Sequence, residues 1–319
     1  MNSVKQKIKR KFPALYVKIK GIKIFFEIKF PILRVKIKYK KAFKRFPNLK
    51  SPIVFSEKIQ YLKLFVFPKS EHVGILTDKY GMRNYVERVG LSHILTPLIG
   101  VYHTTSEISF KNLPRAFVAK KSNASGYNLI VKDKAKIEAK FFIKTLNDFL
   151  EKDFGLLEGE RHYSNGLSKI IIEPFFKINS NYKFFVFSGK VELCQGFVMN
   201  YNSAESDGFE VGRGPFYKSY RNRSGELVHP EKESGNEIPL PSKYFEMIEI
   251  AEKLAGDFPF VRVDLYLTEN KIHLGEMTFT PTSGYNSYFK EEWQQKLGNL
   301  IDLTELSLYF DNREELVHE

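Results

Sequence analysis

The chain of 319 residues can bury a full hydrophobic core and form two or three subdomains, and its hydrophobic content of 43% is that of a globular protein. A single cysteine, Cys194, excludes an intramolecular disulfide and fits a reducing cytosol. No apolar run reaches the roughly 18 residues of a membrane span, and the N-terminus is too densely charged for a signal peptide. We therefore expect a cytoplasmic protein.

The net charge of +13 comes from one part of the chain. Residues 1–50 hold 17 of the 50 basic residues and one of the 37 acidic residues, Glu27, so the remainder carries 33 basic and 36 acidic residues. A basic segment followed by a near-neutral body indicates an anionic partner for that segment alone. No nucleic acid is expected, because no recognition motif accompanies the basic charge.

The basic segment also repeats itself. The stretch "FPALYVKIKGIKIF" (12–25) aligns with "FPILRVKIKYKKAF" (30–43), and "FPNL" (46–49) begins a third copy. The alternation in "VKIK" fits a strand, whereas the offset of 18 residues is about five helical turns. A helix would place six apolar residues on one face: Ile8, Phe12, Leu15, Ile19, Ile22 and Phe26.

Two roles for residues 1–50 remain open. A basic amphipathic segment suits an anionic membrane surface, which would make the protein peripheral on the inner face of the membrane. The alternative is a solvated basic face that packs on the body or on a partner protein.

Hydrophobic alternation, apolar runs and Gly- or Asn-rich tips predict the elements of the body. In chain order these are a helix at 77–90, a short strand near 97–102, a hairpin at 116–131, a helix at 134–153, a buried strand at 169–176, a second hairpin at 182–198, a long mobile loop region at 200–240, a helix at 241–258, and two strands at 260–267 and 271–280. This order predicts an α+β fold with mostly antiparallel sheets.

The last two strands carry charge where a buried sheet would not tolerate it. In "FVRVDLYLTENKIHLGEMTFTPTSG" (260–284), the core face alternates through Val261 and Val263, while Arg262 and Asp264 occupy the opposite face. Glu276 follows on the second strand among apolar residues. Buried charges are costly unless they are paired or bind a metal, and two carboxylates on paired strands can converge on Mg²⁺.

Two further charged residues sit at strand ends. Lys120 ends the strand "AFVAK" just before the tip "SNASG" (122–126), whose backbone N–H groups could bind phosphates, and Glu173 ends "KIIIE". Lys120 and Arg262 together could bind triphosphate oxygens. Taken singly, each has an ordinary explanation: a solvated lysine, a strand-ending glutamate, or a surface ion pair between Arg262 and Asp264.

The segments "DKYGMRNYV", "IIIEPFF", "NYKFFVFSGKV", "AEKLAGDFPFVRVDLY" and "GEMTFTPTSG" resemble the ATP-grasp enzymes, and more narrowly their TupA-like branch, which is named for teichuronopeptide synthesis. The resemblance covers about residues 51–303. It implies the ATP-grasp fold, two α+β subdomains that clasp ATP, with the basic segment as an N-terminal extension. The implied parts are the basic segment 1–50, an N-terminal lobe 51–115, a first subdomain 116–180 with a flexible glycine loop, a second subdomain 181–303 with the Mg²⁺ and phosphate site, and a tail 304–319.

The resemblance also implies a role for each matching position. Arg262 would contact the transferring phosphate and Lys120 would hold the phosphates of ATP, which makes these two the catalytic residues. Asp264, Glu276 and Thr278 would bind Mg²⁺, although Thr278 stands where most ATP-grasp enzymes have Asn. Asp264 and Glu276 would thereby also hold ATP.

Other positions would line the ATP and substrate sites. The ATP site would add Lys79, Arg83, Ser122, Ser125, Gly126, Lys183 and an adenine-recognising hinge of Glu173, Pro174, Phe175 and Phe176. The substrate site would contain Arg213, Arg221, Arg223, Ser283 and Gly284.

The implied reaction is ATP- and Mg²⁺-dependent ligation of a carboxylate to an amine through an acyl phosphate. The branch suggests a uronic-acid-containing cell-surface polysaccharide or its precursor as the carboxylate, and an amino acid or amine as its partner. Two other functions remain open: a kinase that phosphorylates a sugar or lipid hydroxyl in the same cleft, and a non-catalytic, membrane-associated partner of a polysaccharide biosynthesis complex.

Overall fold

The computed structural model describes residues 21–22, 24–178, 180–199, 216–231, 237–269 and 271–310. Its α-helices are α1 (Pro31–Phe43), α2 (Phe55–Tyr61), α3 (Glu71–Thr77), α4 (Met82–Arg88), α5 (Ala139–Glu151), α6 (Phe154–Glu158), α7 (Tyr244–Ala255) and α8 (Glu291–Asn299). The strands are β1 (Gly100–Tyr102), β2 (Phe117–Lys121), β3 (Asn128–Val131), β4 (Ile170–Pro174), β5 (Ser180–Phe187), β6 (Lys190–Met199), β7 (Phe216–Arg221), β8 (Leu227–Val228), β9 (Val261–Leu267) and β10 (Ile272–Thr278).

The strands form two antiparallel sheets, as the sequence predicts. The smaller sheet has the order β1-β4-β2-β3, and the larger sheet has the order β10-β9-β5-β6-β7-β8. Each sheet has its own core, because α5 covers one face of the small sheet and α7 covers one face of the large sheet. On the opposite face of the large sheet, Phe55 of α2 packs against Phe185, and Lys183, Arg262 and Asp264 lie further along the same face. We call this face, and the face of the small sheet that carries Lys120, the cleft faces.

Alternation along β2 shows how the sequence assigns side chains to the two faces. Phe117, Ala119 and Lys121 are buried toward α5, whereas Val118 and Lys120 point the other way. Lys121 donates hydrogen bonds to the carbonyl oxygens of Phe149 and Lys152 at the end of α5. The lysine that faces the cleft is therefore Lys120.

Both hairpins lie where the sequence places them. The β5–β6 turn has positive φ at Ser188 (43°) and Gly189 (74°), which is the backbone twist that a two-residue hairpin requires. The predicted helix 77–90 is shorter than expected and runs from Met82 to Arg88, because Asp78 instead accepts hydrogen bonds from the backbone N–H groups of Tyr80 and Gly81 in a turn. The predicted loop region 200–240 contains two strands, β7 and β8.

The helical alternative for the basic segment is correct for most of the described residues up to Phe43, whereas residues 44–50 are not helical. Residues 24–29 are helical, Phe30 breaks the helix, and α1 restarts with Pro31 in its first turn, a position that suits proline. Of the face predicted from the repeat, Ile22 and Phe26 are exposed, and Ile8, Phe12, Leu15 and Ile19 lie outside the described residues. Within the described part of the chain, no helix is both long and apolar enough to cross a bilayer.

Candidate functional site

The charged residues of β9 and β10 meet on the cleft face of the large sheet. The guanidinium of Arg262 donates two hydrogen bonds to Asp264, from Nε to Oδ1 at 2.6 Å and from Nη2 to Oδ2 at 2.8 Å. The same Nη2 lies 3.1 Å from the hydroxyl of Thr278 and 3.4 Å from Oε1 of Glu276. Lys183 of the neighbouring strand places its Nζ 3.2 Å from Oδ2 of Asp264. The predicted catalytic and metal residues of this sheet therefore form one cluster.

A β-bulge at Gly275 puts Glu276 into that cluster. The register pairs Leu274 with Leu265 and then Glu276 with Asp264, so the residue between them is left over. Without the bulge, Glu276 would share a face with Leu274 and point into the core. The sequence contains a signal for this bulge, since an isolated glycine inside a strand pattern suggests one.

The position of Glu276 among three cations controls its ionisation. Burial alone would raise its pKa, but Lys79, Arg262 and Lys183 outweigh burial and lower the pKa to about 2. The Nζ of Lys79 is 3.4 Å from Oε2, and 21% of the Glu276 side chain remains exposed. Glu276 is consequently a carboxylate at every physiological pH, which is the form that binds a metal.

Lys79 also ties the tip of the β2–β3 hairpin to this cluster. Its Nζ donates to the carbonyl oxygen of Ala124 at 2.7 Å, and its backbone N–H donates to the carbonyl oxygen of Ser122. The hydroxyl of Ser122 donates to Asp78 at 2.6 Å. Ser122 and Ala124 are buried by these contacts, whereas Ser125 and Gly126 are exposed. The first half of the predicted glycine loop is thus held down, and only its second half faces solvent.

Lys120 and Glu173 face each other across neighbouring strands of the small sheet. The register pairs Val118 with Glu173 and Lys120 with Ile171, which places both charged side chains on the cleft face. The Nζ of Lys120 donates to Oε2 of Glu173 in a short ion pair. The two residues predicted for phosphate and for adenine therefore neutralise each other here.

The predicted hinge packs against a histidine that the sequence did not single out. Phe176 stacks on His273 with 4.6 Å between ring centroids, while Pro174 and Phe175 are half-buried. His273 pairs with Tyr266 in the register, so it lies on the cleft face. Burial lowers the pKa of His273, with Lys271 adding to the effect, so its imidazole is neutral at pH 7. No motif in the sequence marks this residue.

The turn after β10, which contains Ser283 and Gly284, holds Thr282 and Ser283 in strained backbone. Thr282 and Ser283 have φ of 54° and 53°, and Gly284 has 73°, all in the left-handed region. The carbonyl oxygen of Ser283 accepts from Lys63 Nζ at 2.7 Å and from the side chain of Gln60 at 2.9 Å. These contacts fix the position of the turn that follows β10.

Glu160 completes the support of the same turn. Its carboxylate accepts hydrogen bonds from the hydroxyls of Thr280 and Ser283. Burial raises the pKa of Glu160, and burial lowers the pKa of Lys63 to about 7 although Glu160 opposes the shift. Both polar ends of Ser283 point into the protein, so its side chain shapes the turn. Sequence reasoning missed Glu160 and Lys63, which lie more than 100 residues from the turn and carry no local motif.

The other predicted arginines lie away from this cluster. Arg221 pairs with Cys194 in the register, on the α7 side of the large sheet, and donates to the carbonyl oxygens of Gly225 and Ile238. Arg223 forms an ion pair with Glu252 of α7. Arg83 donates to the carbonyl oxygen of Thr96, and Arg213 lies outside the described residues.

The donor set fits Mg²⁺ together with a polyphosphate. Two carboxylates and a hydroxyl from Asp264, Glu276 and Thr278 are oxygen donors, which Mg²⁺ prefers. The described residues hold no group of three or more His, Cys, Asp or Glu side chains placed to bind a metal. Phosphate oxygens would have to complete the coordination, as they do in sites where a carboxylate pair binds a metal–nucleotide complex.

Unpaired polar atoms and excess positive charge also fit a nucleotide. The cleft residues comprise four cations, Lys79, Lys120, Lys183 and Arg262, against three carboxylates, Glu173, Asp264 and Glu276. Two buried atoms on the cleft face, Oδ1 of Asn181 and Nδ1 of His273, have no hydrogen-bond partner within the described part of the chain. A base or ribose at the hinge end of the cleft would satisfy them.

A known sequence family matches most of this chain. A sequence model described as TupA-like ATPgrasp matches residues 57–302. No curated protein matches the chain.

Several solved structures that are similar to this chain are ligases with low sequence identity to it. They include a D-alanine–D-alanine ligase from Bacillus anthracis, with TM-score 0.45 and 17% identity over 76% of this chain and 70% of that chain. An L-amino acid ligase from Bacillus licheniformis gives TM-score 0.45 and 15% identity over 71% of this chain and 50% of that chain. The VanG D-Ala:D-Ser ligase from Enterococcus faecalis gives TM-score 0.43 and 16% identity over 74% of this chain and 62% of that chain. The chain thus spans as little as half the length of these structures. TM-scores and sequence identities this low identify neither a substrate nor a partner for this chain.

Proposed function

The chain belongs to the TupA-like ATP-grasp family, whose cofactors are ATP and Mg²⁺, and we propose that it is an ADP-forming ligase that joins a carboxylate to an amine. We further propose that the carboxylate is a uronic acid in a cell-surface polysaccharide or its precursor, and that the amine is an amino acid or a simple amine. The family's association with teichuronopeptide synthesis supports this substrate class. The observation that carries the ligase proposal is the cluster of Arg262, Asp264 and Glu276 on the cleft face.

The reaction has two steps, the first at the γ-phosphorus and the second at the acyl carbon. An oxygen of the substrate carboxylate attacks the γ-phosphorus of ATP, and ADP leaves. The amine nitrogen then attacks the acyl carbon, inorganic phosphate leaves, and the nitrogen loses a proton. Mg²⁺, when bound, neutralises phosphate charge beside Asp264 and Glu276.

The side chains of the cluster position and neutralise the reacting groups. Arg262 is held at two points by Asp264, so its guanidinium has a fixed orientation before any substrate arrives. Lys183 and Lys79 add positive charge on either side of the two carboxylates. Electrostatic positioning of this kind is the main contribution that a protein makes to phosphoryl transfer.

The Lys120–Glu173 ion pair gives the small sheet a role in binding the nucleotide. A phosphate that approaches Lys120 competes with Glu173 for the same Nζ. Release of Glu173 would free its carboxylate at the hinge, beside the stacked rings of Phe176 and His273. Phosphate binding and base recognition are therefore linked through one pair of side chains.

An isotope experiment distinguishes ligation from the kinase alternative. A uronic acid labelled with ¹⁸O in its carboxylate is incubated with ATP, Mg²⁺ and a panel of amines, and the released phosphate is analysed by mass spectrometry. Transfer of one ¹⁸O to phosphate, together with an amide product, is expected for a ligase. A phosphorylated hydroxyl together with ADP, and no ¹⁸O-labelled phosphate, would instead establish the kinase.

Two variants test whether the reaction occurs at this site. Asp264→Asn should abolish ADP release, whereas Asp302→Asn, an exposed aspartate that accepts from Thr304, should leave it unchanged. Absence of ATP binding by the unaltered protein, measured by calorimetry with Mg²⁺, would support the non-catalytic alternative and refute the ligase proposal.

A further inference from the structure

The N-terminal helices turn an apolar surface toward solvent. Five residues spaced by three or four positions have exposed fractions between 48% and 59%, and they form what we call the apolar stripe: Ile22, Phe26, Phe30, Leu33 and Ile37. The rings of Phe26 and Phe30 stack with centroids 5.9 Å apart, and Phe25 packs edge-on against Phe26 at 6.0 Å. The aromatic part of the stripe is therefore continuous.

The opposite face of α1 is attached to the body by Val35 and by two residues with polar groups. Arg34 is buried and donates to the carbonyl oxygens of Leu156 and Leu157 at the end of α6. Tyr39 is also buried, and its hydroxyl is hydrogen-bonded to Ser56 at 2.8 Å. An ordinary surface helix buries its apolar side and exposes its polar side. Here an arginine is buried while leucine and isoleucine are exposed, so docking on the body does not satisfy the apolar stripe.

Basic side chains flank the apolar stripe. Lys36 and Lys40 lie on the same outer side of α1 as Leu33 and Ile37, and all four are exposed. Lys29 and Lys44 are exposed at the two ends of this region. Glu27 is the only acidic residue among the first 50, so the electric field of this face is strongly positive.

We propose that the apolar stripe and its flanking lysines dock the protein onto an anionic lipid bilayer. Exposed aromatic and aliphatic side chains beside lysines match the boundary between acyl chains and anionic headgroups. A second copy of the chain would bring two strongly basic segments together, which like-charge repulsion disfavours. A nucleic acid would satisfy the lysines but leave the apolar stripe in water. This proposal does not depend on the ligase activity.

Because α1 is fixed to the body, the bilayer would hold the body in one orientation. The face of α1 that carries Arg34 holds the body on the side away from the apolar stripe.

Flotation of the full chain with lipid vesicles tests the proposal. We expect binding to vesicles of equal phosphatidylcholine and phosphatidylglycerol, and little binding to pure phosphatidylcholine. The double variant Leu33→Ser with Ile37→Ser should partition at least about tenfold less, because both side chains lose apolar contact. The control Leu167→Ser with Phe245→Ser changes two other exposed apolar residues and should bind as the unaltered protein does. The variant Lys36→Gln with Lys40→Gln should bind less and show a weaker salt dependence.

Four outcomes would overturn the proposal. The first is vesicle binding by the Leu33 and Ile37 variant equal to that of the unaltered protein, with circular dichroism and urea unfolding showing both to be folded. The second is a concentration-dependent dimer that the same variant abolishes, which would assign the apolar stripe to a second copy. The third is binding that appears only after removal of residues 1–20, which would mean that this segment covers the apolar stripe. The fourth is tight nucleic acid binding with no vesicle binding.

Discussion

Replacement of Glu276 by glutamine tests the electrostatic description of the site. Three cations surround this carboxylate, and Asp264 is a second negative group in direct contact with two of them, Lys183 and Arg262. Loss of one negative charge would leave Lys79, Lys183 and Arg262 with a single counter-charge. We therefore expect Glu276→Gln to destabilise the ligand-free protein, whereas removal of a carboxylate from an acid-rich metal site often has the opposite effect.

The magnitude follows from the pKa. A drop from 4.5 to about 2, at about 1.4 kcal/mol per pKa unit, corresponds to roughly 3 kcal/mol of stability at neutral pH. The folded-state pKa is below the unfolded value, so this contribution is complete above about pH 4.5 and is lost as the pH falls toward about 2. About half of it should remain near pH 3. A neutral glutamine makes no such contribution to the free energy of unfolding at any pH.

Urea unfolding of both proteins from pH 7 to pH 3 measures the difference. The control is Glu246→Gln, which removes an exposed partner of Lys243 on α7 and should change the free energy of unfolding by less than about 1 kcal/mol. A gap between Glu276→Gln and the unaltered protein that is absent at pH 7, or that does not shrink below pH 4.5, would refute the reasoning. Calorimetry of the same variant should also show loss of Mg²⁺-dependent ATP binding.

Two further expectations concern the bulge at Gly275 and the polar support of the turn after β10. Gly275→Ala places a Cβ 2.8 Å from the ring of Tyr266, so the bulge or the ring must move, and we expect weaker Mg²⁺-ATP binding by calorimetry and a loss of about 1–3 kcal/mol in unfolding free energy. Gly166→Ala, where a Cβ meets nothing within 4 Å, should be silent in both assays. Glu160→Gln removes the counter-charge of buried Lys63, and chemical unfolding should show a loss of about 3 kcal/mol. Unchanged stability of Glu160→Gln would show that the polar support of the turn is dispensable.

Local pattern predicted the parts of the site that depend on a single strand. Alternation along β9 is enough to put Arg262 and Asp264 on one face and Val263 on the other, because the side-chain period of a strand is two. Glu276 required more, since its face depends on whether Gly275 is a paired residue or a bulge. The motif resemblance supplied its role before the geometry was known.

Long-range contacts explain what the sequence could not predict. Glu160 reaches the turn after β10 only because the fold brings together residues 120 positions apart. The ion pair between Lys120 and Glu173 depends on β2 and β4 being neighbours, which strand patterns alone do not specify. Burial of Arg34 was equally hidden, because a lysine- and arginine-rich helix normally exposes its charges.

The attachment of α1 changes where the stable body of this protein begins. Glu57 is buried in α2, and its carboxylate accepts from Arg45 and from the backbone N–H groups of Asn48 and Ile53. A chain that begins at residue 46 would lose both Arg34 and Arg45. The buried carboxylate of Glu57 would then lack its cation, and the carbonyl oxygens at the end of α6 would lack their hydrogen-bond donor. The compositional border near residue 50 is therefore not a structural border. A shortened protein that is meant to keep its cleft intact should begin before Pro31, and the charge that distinguishes the first 50 residues is part of what holds the rest together.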